Sequence, residues 1–217
     1  MPARRPETDT DTGRPRRSRR SPDETQRRRD PERTRERILG AAVEEFGEHG
    51  FAGARVSRIA ARAGVNAQLI SYYFDGKAGL YRALMRKWRA VVTDISRPDR
   101  PLDQVAADYV IATEEHRSWA RLMAWEALGG TPPVDEQPDE PDFLVEQLAE
   151  IRRRQAAGEL APDLDPAHVM LALFGAAAAP TLLPQIARRI VAAEPDSAEF
   201  LTAYRDQIAR MVRHLAP

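Results

Sequence analysis

The 217-residue chain contains no cysteine, which excludes a disulfide framework, a thiolate metal site and a cysteine nucleophile. Its four histidines, His49, His116, His168 and His214, are scattered, and neither H-E-x-x-H nor G-x-S-x-G occurs; a histidine metal motif and a serine-hydrolase elbow are therefore missing. A phosphate-binding loop around Gly76-Lys77 would need glycine at position 71 and Ser or Thr at 78, where Ser71 and Ala78 stand. The first residues are Arg, Pro and Asp with no apolar h-region, so no secretory signal is expected. The longest uncharged run, 166–187, holds His168, Pro180, Pro184 and Gln185, and its purely apolar part, 169–179, is too short to cross a bilayer. These absences predict a soluble, cytoplasmic protein that is not an enzyme, with no metal, no cofactor and no membrane partner.

What is present is unevenly distributed. The chain has 33 Lys+Arg and 33 Asp+Glu, yet residues 1–90 carry 21 and 12, and residues 91–217 carry 12 and 21. A basic part joined to an acidic part is expected when one portion meets a polyanion and the other does not. Residues 1–30 contain ten Arg and no Ile, Leu, Val, Phe, Tyr or Trp. With nothing to bury against the entropy of ordering, they are expected to form a disordered basic arm. Two roles stay open for it: contacts to phosphates or a minor groove, or a solubilising tail.

The rest reads as helix throughout, because no segment alternates with period two and no repeat is visible. Asp30-Pro31 suits a helix start, and Ile38, Leu39, Ala42, Val43 and Phe46 form a helical stripe that Gly50 ends. A short helix follows over 56–63, Gly64 breaks it, and Asn66 can cap a third over 66–74. Leu80, Leu84, Trp88, Val91 and Ile95 mark a long fourth helix from Lys77. Further helices are expected near 102–115, 118–128, 141–157, 166–179, 183–193 and 197–215. The fold class is all-α: a helix-turn-helix domain over 31–76, joined by a long helix to a larger helical domain over 77–217.

The pair of short helices joined through Gly64 has the form of a helix-turn-helix. A short helix braced from behind can lie in a major groove about 12 Å wide. Leu69, Ile70 and Tyr73, or a subset, must dock on the preceding helices, leaving Ala67, Gln68, Ser71 and Tyr72 outward. Gln68 can pair with adenine N6 and N7, Ala67 can touch a thymine methyl, and Ser71 can bond to base or phosphate. Tyr72 and Lys77 are candidate phosphate anchors, as are Arg55, Ser57 and Arg58 on the opposite lip of the groove.

The run Thr34-Arg35-Glu36-Arg37-Ile38-Leu39, then Ala41-Ala42, then Phe46-Gly47-Glu48-His49-Gly50-Phe51 resembles the first helix of TetR-family transcriptional regulators. Val56-Ser57-Arg58-Ile59-Ala60-Ala61-Arg62-Ala63-Gly64-Val65 and Tyr72-Tyr73-Phe74-Asp75-Gly76-Lys77-Ala78-Gly79-Leu80 resemble the rest of that DNA-binding domain, and the likeness spans about residues 32–92. The resemblance implies a homodimer on a palindromic double-stranded DNA operator, usually a repressor released by a small-molecule effector. By position it puts Ala67, Gln68, Leu69 and Ser71 on the base-facing side and Tyr72, Tyr73 and Lys77 on the phosphate-facing side, behind the Asn66 cap. Ser71 stands where Tyr is usual in the family, and Ala78 where an acid is usual.

For the larger domain, Trp88, Tyr109, Trp119, Met123, Trp125 and Phe143 are candidate effector contacts, with His116, Arg121 and Glu126 as candidate polar groups. Met170, Phe174 and Ala177, with Phe200, Tyr204, Ile208 and Met211 of the last helix, are candidates for a four-helix dimer interface. An architectural DNA-binding protein without effector and a helical enzyme are the alternatives.

Overall fold

The computed structural model describes residues 24–129 and 142–217, except the side chains of 24–30. Most of the expected basic arm, and the acidic loop after Gly129, lie outside the described residues. Among those described there are ten helices and no strand: α1 (Glu24–Gly53), α2 (Val56–Ala63), α3 (Ala67–Phe74), α4 (Gly76–Ile95), α5 (Leu102–Glu115), α6 (Arg117–Gly129), α7 (Phe143–Ala156), α8 (Pro166–Leu182), α9 (Pro184–Val191) and α10 (Ala198–Arg213).

Two boundaries differ from expectation. Helix α1 starts at Glu24 rather than Asp30, so Pro31 lies inside it and residues 24–30 are helical. Glu, Gln and Arg are strong helix formers without any burial, and extending a helix that is already nucleated adds one hydrogen bond per residue. Helix α8 runs past Ala179 to Leu182 with Pro180 buried inside it. Proline cannot donate to the carbonyl four residues earlier, and here the Tyr204 hydroxyl donates to that Ala176 oxygen at 2.8 Å. A side chain of α10 thus satisfies the acceptor that the proline leaves open.

The head is built on α1, α2, α3 and the start of α4. Ile38, Phe46, Ile59, Ile70 and Leu80 are fully buried together, and Phe46, Phe51 and Tyr81 pack with ring centroids 5.3–5.9 Å apart. Trp119 and Leu122 of α6 complete this cluster, so the body reaches into the head's core. The approach is close at Gly47, where an added Cβ would lie 2.5 Å from the Ser118 carbonyl oxygen. Next to it, Ser118 Oγ donates to Glu44 Oε2 at 2.9 Å.

The body's own cluster draws Leu102, Ala106 and Val110 from α5, Leu160 from the α7–α8 link, Ala177 from α8, and Ile208 and Val212 from α10. Helices α8 and α9 meet at an 89° bend, and no single described helix is long and apolar enough to cross a membrane.

Candidate nucleic-acid interface and effector cavity

Helix α3 is a short platform with a fixed start and one buried side. Gly64 takes the left-handed conformation (φ 64°, ψ 41°) that closes α2. Asn66 then caps α3, its side chain accepting from Gln68 N at 2.9 Å. Ile70 and Phe74 are buried, while Leu69 and Tyr73 are half-buried against the same core. Asn66, Ala67, Gln68, Ser71 and Tyr72 are exposed. Tyr72 is 80% exposed, and its ring meets Tyr73 edge-on at 5.1 Å. The structure therefore brings Ala67, Gln68, Ser71 and Tyr72 to one solvent face, whereas Leu69 and Tyr73, expected to face bases and phosphates, pack in part against the head core.

The bracing behind α3 was not legible as pairs in the sequence. Glu45, fully buried on α1, accepts through Oε1 from Arg55 N at 3.0 Å and from Arg58 Nε at 2.5 Å. Burial opposes ionisation of Glu45, but these hydrogen bonds and the Arg58 charge outweigh it and hold its carboxyl below the usual range. Glu45 thus does for the start of α2 what the Arg55 side chain, which makes no cap bond, does not. Arg62 of α2 adds a second tie, donating to Glu48 Oε2 at 2.8 Å.

Two expected phosphate anchors are engaged inside the head. Arg58 also donates to Gly53 O at 2.8 Å, so its guanidinium joins α1 to α2. Lys77 Nζ donates to Ala52 O at 3.2 Å and lies 4.6 Å from the centre of the Phe51 ring. Partial burial holds its ammonium below the usual lysine value. Among the described residues, the side chains of Arg55, exposed at the head of α2, and of the exposed Ser57 make no such tie. Glu45, Glu48 and His49 have ligand atoms within 4.8 Å of one another, but both carboxylates are already held by Arg58 and Arg62.

The expected effector residues do not gather in one place. Trp88 stacks on Trp119 at 5.4 Å, with His116 at 5.8 Å, and Trp88, Trp119 and Met123 belong to the head cluster. Trp125 packs on Gly50, and Glu126 accepts from the Tyr81 hydroxyl. Burial raises the Glu126 carboxyl to about 7. Arg121 is exposed, and Phe143 lies under the Arg89 guanidinium, 5.1 Å from its ring centre. These side chains form the joint between head and body. Their aromatic spacing resembled a pocket because sequence periodicity gives a helix face but not the helix that covers it.

Tyr109 alone of that set lines the partly open apolar cavity, about 50 Å³, between α5, α7 and α8. The remaining walls include Leu102, Val105, Ile151, Leu173 and two residues expected at a dimer face, Met170 and Phe174. Its polar edge is Glu150 and Arg154, both buried. Arg154 Nε lies 3.0 Å from Glu150 Oε1, and its other nitrogens donate to Arg100 O at 2.5 Å and Arg97 O at 2.9 Å. Glu159 Oε2, 3.3 Å from Arg154, accepts from Leu102 N at 2.6 Å. One buried guanidinium thereby clamps the link between α4 and α5 to the cavity wall. Neither Glu150 nor Arg154 stood out in the sequence, where both sit among exposed charges of α7.

The comparisons agree with this geometry. Residues 38–84 match the model of bacterial regulatory proteins of the tetR family, and residues 102–214 match that of the tetracyclin repressor-like C-terminal domain. The chain belongs to the TetR family. The HTH-type transcriptional repressor SCO4008 of Streptomyces coelicolor is 32% identical over 193 residues, covering 86% of this chain and 97% of that one. The HTH-type transcriptional regulator RutR of Escherichia coli K12 is 32% identical over 146 residues, covering 63% of this chain and 68% of RutR. Among solved structures, Streptomyces coelicolor SCO4942 superposes with a TM-score of 0.66 at 28% identity, covering 85% of this chain and 98% of that one.

As a TetR-family chain it carries an apolar surface on the body, but not the one expected. Ala177, Phe200 and Ile208 are buried within the chain, and Tyr204 is spent on Ala176, so these four face inward. Phe174 and Met211 remain exposed, joined by Leu171 at 72% and by Leu183, Ile186, Ile190 and Val191 around α9. The stripe of α10 closes its own core because α5 and α8 cover it.

Proposed function

We propose that this TetR-family regulator is a homodimeric repressor that reads a palindromic double-stranded operator through α3 and is released by a small-molecule effector. The carrying observation is the exposed Ala67–Gln68–Ser71–Tyr72 face on a helix whose opposite side is buried and whose start is capped. Ala67, Gln68 and Ser71 read base edges, and Tyr72, Arg55 and Ser57 hold phosphates. Arg58 and Lys77 act from behind, as braces that keep α2 and α3 in register.

Repression is supported by the relative named a repressor. Homodimerisation is supported by the uncovered apolar residues Leu171, Phe174, Ile186, Ile190 and Met211, since large exposed apolar patches mark interaction surfaces. Effector release is supported by the α5–α7–α8 cavity and by Arg154, which ties its wall to the end of α4. Selecting bound duplexes from a random pool with the purified chain tests the reading. An inverted repeat occupied by two chains is expected; enrichment of a single half-site by one chain would overturn the dimer, and no enrichment would overturn the DNA-binding role.

A further inference from the structure

Resting on that regulator reading, we infer that the α5–α7–α8 cavity selects a neutral, one-ring compound bearing a hydrogen-bond acceptor, held through the Tyr109 hydroxyl and the Gln147 amide, and rejects ionised analogues.

Three observations carry this. The walls are dominated by Leu102, Val105, Ala106, Ile151 and Leu173, so most of any occupant's surface must be apolar. The charges at the edge are already paired by sign: Glu150 Oε2, which takes no hydrogen bond, lies beside the Arg153 guanidinium, Glu150 Oε1 pairs with Arg154, and Arg154 is further held by backbone carbonyls and Glu159. An ionised ligand would therefore be stripped of water with no counter-charge available. Two neutral polar groups remain unspent, for among the described residues neither the Tyr109 hydroxyl nor the Gln147 amide has a hydrogen-bond partner. Burial pushes the Tyr109 hydroxyl well above its ordinary range, which keeps it a neutral donor.

The size follows from the space. A cavity of about 50 Å³ has room for several non-hydrogen atoms by the measure in which one water needs about 10–15 Å³. Met170 is a flexible wall and Phe174 is 40% exposed; admitting a ring requires that one of these two side chains changes rotamer.

The test uses the full chain and a near-isosteric series: acetophenone, benzoate, benzylammonium and ethylbenzene, titrated by calorimetry and ligand-observed NMR. Acetophenone is expected to bind saturably and more tightly than either ion. Tyr109→Phe should weaken acetophenone about fivefold and leave ethylbenzene unchanged. Leu173→Trp, checked for helical content by circular dichroism, should abolish binding of both neutral compounds. Tighter binding of benzoate or benzylammonium, no saturable acetophenone binding, equal weakening of acetophenone and ethylbenzene in Tyr109→Phe, or undiminished binding to Leu173→Trp would each overturn the inference. Binding of the selected duplex in the same preparation separates the two levels. If duplex is bound and acetophenone ignored, the ligand class fails and the regulator reading stands; if both are ignored, both fail.

Discussion

The head and the body bury their apolar residues to different degrees. In the head, side chains from five helices, including Phe46, Ile59, Ile70, Leu80 and Leu122, lose all contact with water. In the body, α8 is the most apolar helix of the chain, yet only Ala177 and Pro180 of it are buried, and α9 buries nothing. The head is a finished object that presents a rigid face. The body is a scaffold with a cavity and an uncovered apolar side. Under the proposed function, this division would let a ligand change the placement of the α3 face without deforming it.

The comparison breaks first at Arg154, which ties the cavity wall of the body to the end of α4. Arg154→Ala leaves Glu150 buried without its inner partner and frees the carbonyls of Arg97 and Arg100, and is expected to cost about 3–5 kcal/mol. Chemical denaturation measures it, and a loss below about 1 kcal/mol would show that the clamp is solvated in solution. The next effect is on the head's surface. Gln68→Ala should cost about 1–3 kcal/mol at one operator position. Arg55→Ala should weaken operator and random duplex alike and lower the salt slope by about 1. Equal behaviour of the two variants would contradict the split between base and phosphate contacts.

Asn66→Ala removes the α3 cap and should lower stability by about 1 kcal/mol, seen as a lower urea midpoint with unchanged slope. The smallest expected effect is at the joint. Burial raises the Glu126 carboxyl from 4.5 to about 7, so between those values the unfolded chain gives up its proton first. Stability contributed by Glu126 is therefore full below about 4.5 and is lost as pH rises toward about 7. Glu126→Gln should flatten that part of the pH–stability profile, and an unchanged profile would show that Glu126 ionises freely.

Much of this was readable from local pattern, because helices declare themselves locally. The 102–115 and 56–63 helices, the Gly64 break and the Asn66 cap follow from periodicity and cap chemistry, and the reading face of α3 follows from them. What local pattern cannot supply is pairing across the chain. Glu45 with Arg58, Arg154 with the carbonyls of 97 and 100, and Tyr204 with the acceptor vacated by Pro180 are tertiary events between helices. The same limit sent Trp119 to an effector site: its stripe was visible, but the head core that covers it was not. Met170 stood on a stripe assigned to dimerisation, whereas α5 and α7 set a cavity against it; Phe174 of the same stripe both lines that cavity and stays partly exposed.

The most direct measurement is the per-position base discrimination of the purified chain and of Gln68→Ala, each selected from the same random duplex pool. The expected result is an inverted repeat for the parent and the same repeat with one base relaxed in both halves for the variant. An identical motif for both proteins would contradict the assignment of α3 as the element that reads DNA.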